Sequence, residues 1–291
     1  MTNRSSLQEH VVLYHVPPSF YSQVARLGLA EKGVRYESVI VAPGPPTYET
    51  YQPWYMRLNP MGTVPTLVVD GEVIDDSHRI LLFIDEHFEG SPLLPSDEAL
   101  RSKVERSVEE AYGVPERVLA YGSDKLKSMG KKVNRRRLKA LRKWRDQNLE
   151  MEAVYDHKIA DIELFMAESA DAEGVESAWR SAQEKLDRLN RDLNDSEFCC
   201  GASYSLADVL WTVTVARQVM LGVDPFEGRP ALRAWFDCMK LRPSYKRADV
   251  WTRFKPEVML PVLVKKFRWQ VLTFAVVVGL ITAGLLALCS P

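Results

Sequence analysis

The chain has 291 residues, 46% of them apolar, and a formal net charge of −1. That is enough chain for two domains and a large core. Its four cysteines show no CxxC or metal spacing and Met1–His10 is polar, which argues against a disulfide scaffold or a secretory signal and for a reducing, cytosolic setting.

The near-neutral total hides an asymmetry. Residues 125–145 hold 11 Lys/Arg and no acid, leaving 27 Lys/Arg against 39 Asp/Glu elsewhere. After a flexible start over residues 1–10, Val11–Val16 reads as a strand. Phe20–Lys32 reads as a helix closed by Gly33, with Val24, Leu27 and Leu29 at helical spacing. A second strand falls within Val34–Val41, and Pro43–Pro46 is a loop. Leu58-Asn59-Pro60 leads into a block from Gly62 to Ser77. There, Thr66–Val69 and Glu72–Ile74 flank Asp70-Gly71, a hairpin signal, and Pro65 stands at the strand entry. Asp75, Asp76 and Ser77 suit a helix N-terminus, and the helix Ser77–Phe88 carries Ile80, Leu81, Phe83 and Ile84. The first domain therefore covers residues 11–90, and Leu93-Leu94-Pro95 marks a linker over 91–98.

Residues 99–252 read as a helical domain with a basic insert at 125–145. The expected helices are Asp97–Tyr121, Asp146–Ala167 (or a longer piece from near Lys131), Val175–Leu193, a central helix to about Leu221, and Pro230–Leu241. Ser205 and Asp208 form an Asp variant of the capping box at the start of the central helix, which is apolar nearly all round. Residues 253–270 are amphipathic and basic. Val271–Leu288 runs 18 residues without a charge, about 27 Å as a helix, and reads as a transmembrane tail anchor. Its small residues Ala275, Gly279, Ala283 and Ala287 recur every fourth position.

A Val-Pro before a strand, then a hairpin and a capped helix, resembles the glutathione-binding half of a cytosolic glutathione transferase. The capping box resembles one in that family's helical domain. The resemblance implies a thioredoxin-like α/β N-terminal domain, an all-α C-terminal domain, glutathione as substrate or ligand, and a homodimer. It implies a cis Pro65, backbone pairing with glutathione at Val64, and capture of the γ-glutamyl group by Asp76 and Ser77. Free N–H groups at a helix start and a serine hydroxyl are sound chemistry for a carboxylate.

The insert and tail narrow the likeness. Together with Leu13-Tyr14-His15, Ser19-Phe20, Ser22-Gln23, Ala30-Glu31-Lys32, Met56-Arg57-Leu58-Asn59 and Leu206-Ala207-Asp208-Val209, they resemble the ganglioside-induced differentiation-associated protein 1 family. That family implies a tail-anchored protein of the mitochondrial outer membrane, facing the cytosol, that influences fission, with weak or absent conjugating activity. The basic residues that the family carries after the span are missing here, so an endoplasmic reticulum address is the alternative. An active membrane-anchored transferase acting on hydrophobic electrophiles is the alternative function.

Ser19 is the candidate catalytic residue, because a hydroxyl near the first helix can hold a thiolate; Ser22 and Tyr14 are fallbacks. Ser19 could equally act as a plain helix cap. The insert could meet anionic lipid or an acidic protein, or be a solvated, mobile segment. Replacing Arg135, Arg136 and Arg137 by Gln would separate these. Nucleic acid and a metal are not expected, since no groove-reading motif or histidine ligand spacing is present. Cys199-Cys200 reads as a structural pair.

Overall fold

The structure is a computed structural model that describes residues 9–45, 47–122, 124–262 and 264. Residues through Arg253 form one compact unit, and a second begins at Phe254. The two expected domains are thus packed into a single body. The span Val271–Leu288, the residues Lys265, Lys266 and Arg268 before it, and the first eight residues lie outside the described residues. Among the described residues, no helix is long and apolar enough to cross a membrane.

Strand β1 (Val11–His15) leads through α1 (Phe20–Glu31) to β2 (Glu37–Ile40). A six-residue helix α2 (Pro53–Leu58) precedes β3 (Thr66–Val69), β4 (Glu72–Asp75) and α3 (Ser77–His87). The sheet order is β2-β1-β3-β4, with β1 parallel to β2 and the other pairs antiparallel. Asp70 and Gly71 both hold positive φ at the hairpin, as a type I′ turn requires. Leu13, Leu67 and Ile74 meet Leu29, Ile80 and Ile84 from α1 and α3 in one core.

The helical half contains α4 (Glu98–Tyr112), α5 (Glu116–Gly122), α6 (Asp124–Gln147), α7 (Glu152–Glu168), α8 (Ala172–Asp192), α9 (Leu206–Met220), α10 (Pro230–Leu241) and α11 (Pro243–Arg247). The single helix expected over Asp97–Tyr121 is broken. Gly113 closes α4 and Pro115, which lacks an N–H, starts the next turn. The insert lies within the 24-residue helix α6 and is not a loop. Its Leu138 and Leu141 are buried against Tyr155, Ile159 and Ile162 of α7. Helix α9 is the buried centre of this half and also packs on α1.

The two halves are locked by buried polar contacts. Arg26 on α1 donates to the carbonyls of Ala248 at 2.7 Å and Asp249 at 3.0 Å, and the Trp251 amide donates to Gln23 at 2.6 Å. Asp208 accepts four hydrogen bonds: the Cys199 amide at 2.9 Å, the Ser205 amide and hydroxyl at 3.0 Å each, and Trp235 Nε1 at 3.1 Å.

Candidate functional site

The hairpin and α3 deliver the predicted ligand residues to one place. Gly62, at φ +57, turns the chain against the Met56 side chain and the Thr50 carbonyl, where a Cβ would meet atoms at 2.9 and 3.2 Å. The chain then runs through Thr63 and Val64, and the Val64–Pro65 peptide is cis. Asp76 also holds a positive φ, +63°, and its carboxylate accepts the amides of His78 at 2.8 Å and Arg79 at 3.2 Å. Ser77 is the first residue of α3, where the helix itself offers its N–H no partner.

Val64, Pro65, Asp76 and Ser77 all line one cavity of about 520 Å³. Tyr21 from α1 and Glu109 and Tyr112 from α4 line it as well. Among the described residues, none of those lining it comes from α6. The Ser77 hydroxyl is 3.0 Å from the Tyr112 hydroxyl, and the Tyr112 ring stacks on His78 with centroids 5.5 Å apart. Burial pushes the Tyr112 phenol well above its ordinary range, so it stays a neutral donor or acceptor.

Ser19 is the N-cap of α1, and its Oγ accepts the Ser22 amide at 3.3 Å. It is not among the residues that line the cavity. Of the fallbacks, Ser22 is buried with its Oγ accepting the Val16 amide at 3.3 Å, and Tyr14 packs its ring against Trp54 and Tyr55. The preceding turn is pinned by arginines. Arg26 donates to the Pro17 carbonyl at 3.2 Å and Arg217 to the Pro18 carbonyl at 3.3 Å.

Tyr21, Glu109 and Tyr112 were not legible from the sequence. Tyr21 and Tyr112 line the same cavity from two separate helices, and only the packing of α1 on the helical half brings them together. Burial raises the Tyr21 hydroxyl above its usual value, and the nearby Arg117 opposes that shift. Behind Tyr21 lies a buried pair, Glu116 and Arg217, 3.9 Å apart. Neither Glu116 oxygen has a hydrogen-bond partner, and burial lifts its carboxyl to about 8.

Cys199 and Cys200 are buried, with burial pushing Cys199 well above the normal thiol range and Cys200 to about 11. Both are therefore protonated and unreactive at neutral pH.

Models of the glutathione S-transferase N-terminal and C-terminal domains match residues 18–87 and 153–238. The chain is 31% identical over 246 residues to a tetrachloro-p-hydroquinone reductive dehalogenase of Sphingobium chlorophenolicum, covering 84% of this chain and 98% of that protein. The chain belongs to the glutathione S-transferase family. Glutathione serves this family as substrate or ligand. The human ganglioside-induced differentiation-associated protein 1-like 1 is 25% identical over 272 residues, covering 82% of this chain and 74% of that one. Among solved structures, the β-etherase LigF of Sphingobium sp. strain SYK-6 has the same fold, with a TM-score of 0.63 at 23% identity over 82% of this chain and 98% of that chain. The transferase fold expected from the sequence is thus the fold observed.

Proposed function

We propose that the chain is a glutathione-dependent transferase acting on hydrophobic, aromatic electrophiles. The observation that carries this reading is an open cavity that brings Val64, Pro65, Asp76 and Ser77 together with Tyr21, Glu109 and Tyr112. The Ser77 hydroxyl and the Ser77 amide at the start of α3 would supply donors for the γ-glutamyl carboxylate, and the Glu109 carboxylate on the cavity wall would pair with its ammonium. Val64 presents backbone just before β3, where an extended peptide adds like a strand.

The glutathione sulfur would attack an electrophilic carbon, form a carbon–sulfur bond and expel a halide or aryloxide with its electron pair. A dehalogenase and a β-etherase among the similar proteins are consistent with such leaving groups. The enzyme's part is to hold the thiolate, which is the nucleophile. Tyr21, on the cavity wall, is the proposed donor to it. Ser19, whose hydroxyl proton is left free by its capping contact, is the second candidate.

Two expectations test this in a conjugation assay with a chloronitroaromatic substrate. Tyr21→Phe should lower kcat by about 10²-fold, the loss that follows removal of one donor to a developing anion, with little change in glutathione affinity. Ser19→Ala should lower it less. Turnover abolished by Ser19→Ala but kept by Tyr21→Phe would return the role to Ser19. No turnover in the wild type would favour the non-catalytic reading, a glutathione-binding regulator of mitochondrial fission, for which the human relative is the supporting observation. Separately, Tyr112→Phe removes a neutral hydrogen bond to Ser77 and should weaken glutathione binding roughly two- to tenfold by calorimetry.

The charge-free run Val271–Leu288 supports a membrane anchor in this reading, with the folded part facing the cytosol from the mitochondrial outer membrane or, alternatively, the endoplasmic reticulum. Deleting 271–288 should release the protein from carbonate-washed membranes. A truncated chain that still pellets would end the anchor reading, and imaging the intact chain against organelle markers would assign the membrane.

A further inference from the structure

Helix α6 is amphipathic in an unusual sense. One side is an apolar seam, with Leu138 and Leu141 buried on α7. The other side is a stripe of exposed cations. Lys132, Arg135, Arg136, Lys139 and Lys143 recur at three- and four-residue spacing on one face, and all five are exposed. Met129, 56% exposed, falls on the same face.

The acids near this helix do not serve the stripe. Glu163 and Asp156 on α7 take Arg142 at 2.7 Å and Arg145 at 2.9 Å, which flank it. Among the described residues, none of the five stripe cations forms an ion pair. Arg137 does not belong to the stripe. It donates to the Pro43 carbonyl at 3.0 Å and to Asn134 at 3.0 Å, so its role is to hold the helix on the loop before α2.

We propose that this face of α6 is a docking surface for an anionic phospholipid bilayer. The charge is one sign along a helix of about 36 Å, so it forms a flat, extended row and not a point site. Long cationic side chains around an exposed methionine match the headgroup layer, where each Lys or Arg gains about fivefold in partitioning. A nucleic-acid groove demands a helix that projects clear of its neighbours, whereas α6 lies along α7 for its buried length. The proposal is independent of the anchor at 271–288, which would hold the chain on any bilayer regardless of its charge.

The test is lysine acetylation of the full chain, read by mass spectrometry, with phosphatidylcholine vesicles and with phosphatidylcholine–phosphatidylserine vesicles. Acetylation of Lys132, Lys139 and Lys143 should slow at least about fivefold on the anionic vesicles and not on the neutral ones, relative to exposed Lys246. High salt should restore it, because the screening length falls from about 10 Å at 0.1 M to about 3 Å at 1 M. In the variant Arg135→Gln/Arg136→Gln, the three lysines should regain their rate on anionic vesicles while its conjugating activity is unchanged. Equal labelling on both vesicle types would overturn the proposal. So would protection by RNA or by an acidic polypeptide without protection by anionic vesicles. Flotation with neutral vesicles reports the anchor alone, so failure of either reading is separately visible.

Discussion

Asp208→Ala should destabilise the protein by about 4 kcal/mol, an effect reserved for the loss of a buried network. The carboxylate is fully buried and accepts from the Cys199 amide, the Ser205 amide and hydroxyl, and the Trp235 indole. It therefore ties the 199–205 loop and α10 to the first turn of α9. Alanine leaves four donors without an acceptor, each costing about 1–3 kcal/mol when buried, less what water and relaxation recover. In a domain of this size about 4 kcal/mol corresponds to a fall in Tm of about 10–15 °C by calorimetry. Asp208→Asn keeps one acceptor and should fall between. A fall of only a degree or two in the alanine variant would show that the network is cosmetic.

The second large effect is a pH dependence. Burial lifts Glu116 from 4.5 to about 8, against the opposing pull of Arg217. The folded chain thus holds a proton there that the unfolded chain has released. Its contribution to stability is full below about 4.5 and is lost as pH rises towards about 8. At about 1.4 kcal/mol for each pH unit between the two values, the loss is roughly 3–5 kcal/mol.

His15 acts in the opposite sense. Burial and then Arg26 depress it from 6.5 to about 3, so its contribution is present above about 6.5 and lost as pH falls. The wild type should therefore weaken on both sides of mildly acidic pH. Glu116→Gln should remove most of the alkaline decline while leaving the acid limb in place. Denaturant unfolding across this pH range checks it, and an unchanged alkaline slope in Glu116→Gln would mean that Glu116 is ionised in the folded protein.

The parts of the fold that show in the sequence are those set by local chemistry. Asp70-Gly71 fixes a hairpin, Asp76 and Ser77 start a helix, and Ser205 with Asp208 marks the entry of α9. Other parts were hidden because short-range signals compete there. Pro115 breaks a pattern that hydrophobic spacing alone would carry from Asp97 to Tyr121. Helix α2 has only six residues and begins at Pro53, too short for a periodicity to emerge. The basic insert reads as solvent-exposed because its composition is so polar, yet Leu138 and Leu141 three residues apart are enough to seat it on α7.

The site divides the same way. Val64, Pro65, Asp76 and Ser77 lie in one contiguous block, so their order is visible in the sequence. Tyr21 and Tyr112 reach the cavity from helices 91 positions apart, and which of their faces turns inward is decided by tertiary packing.

In the proposed reaction, this cavity holds glutathione through the start of α3. Calorimetric titration of reduced glutathione into the full chain, beside the Ser77→Ala variant, tests it most directly. The expected result is saturable binding by the wild type and an affinity about ten- to a hundredfold weaker for Ser77→Ala, the loss of one hydrogen bond to a carboxylate, worth about 1.5–3 kcal/mol. No binding by the wild type, or equal affinity in the two proteins, would contradict it.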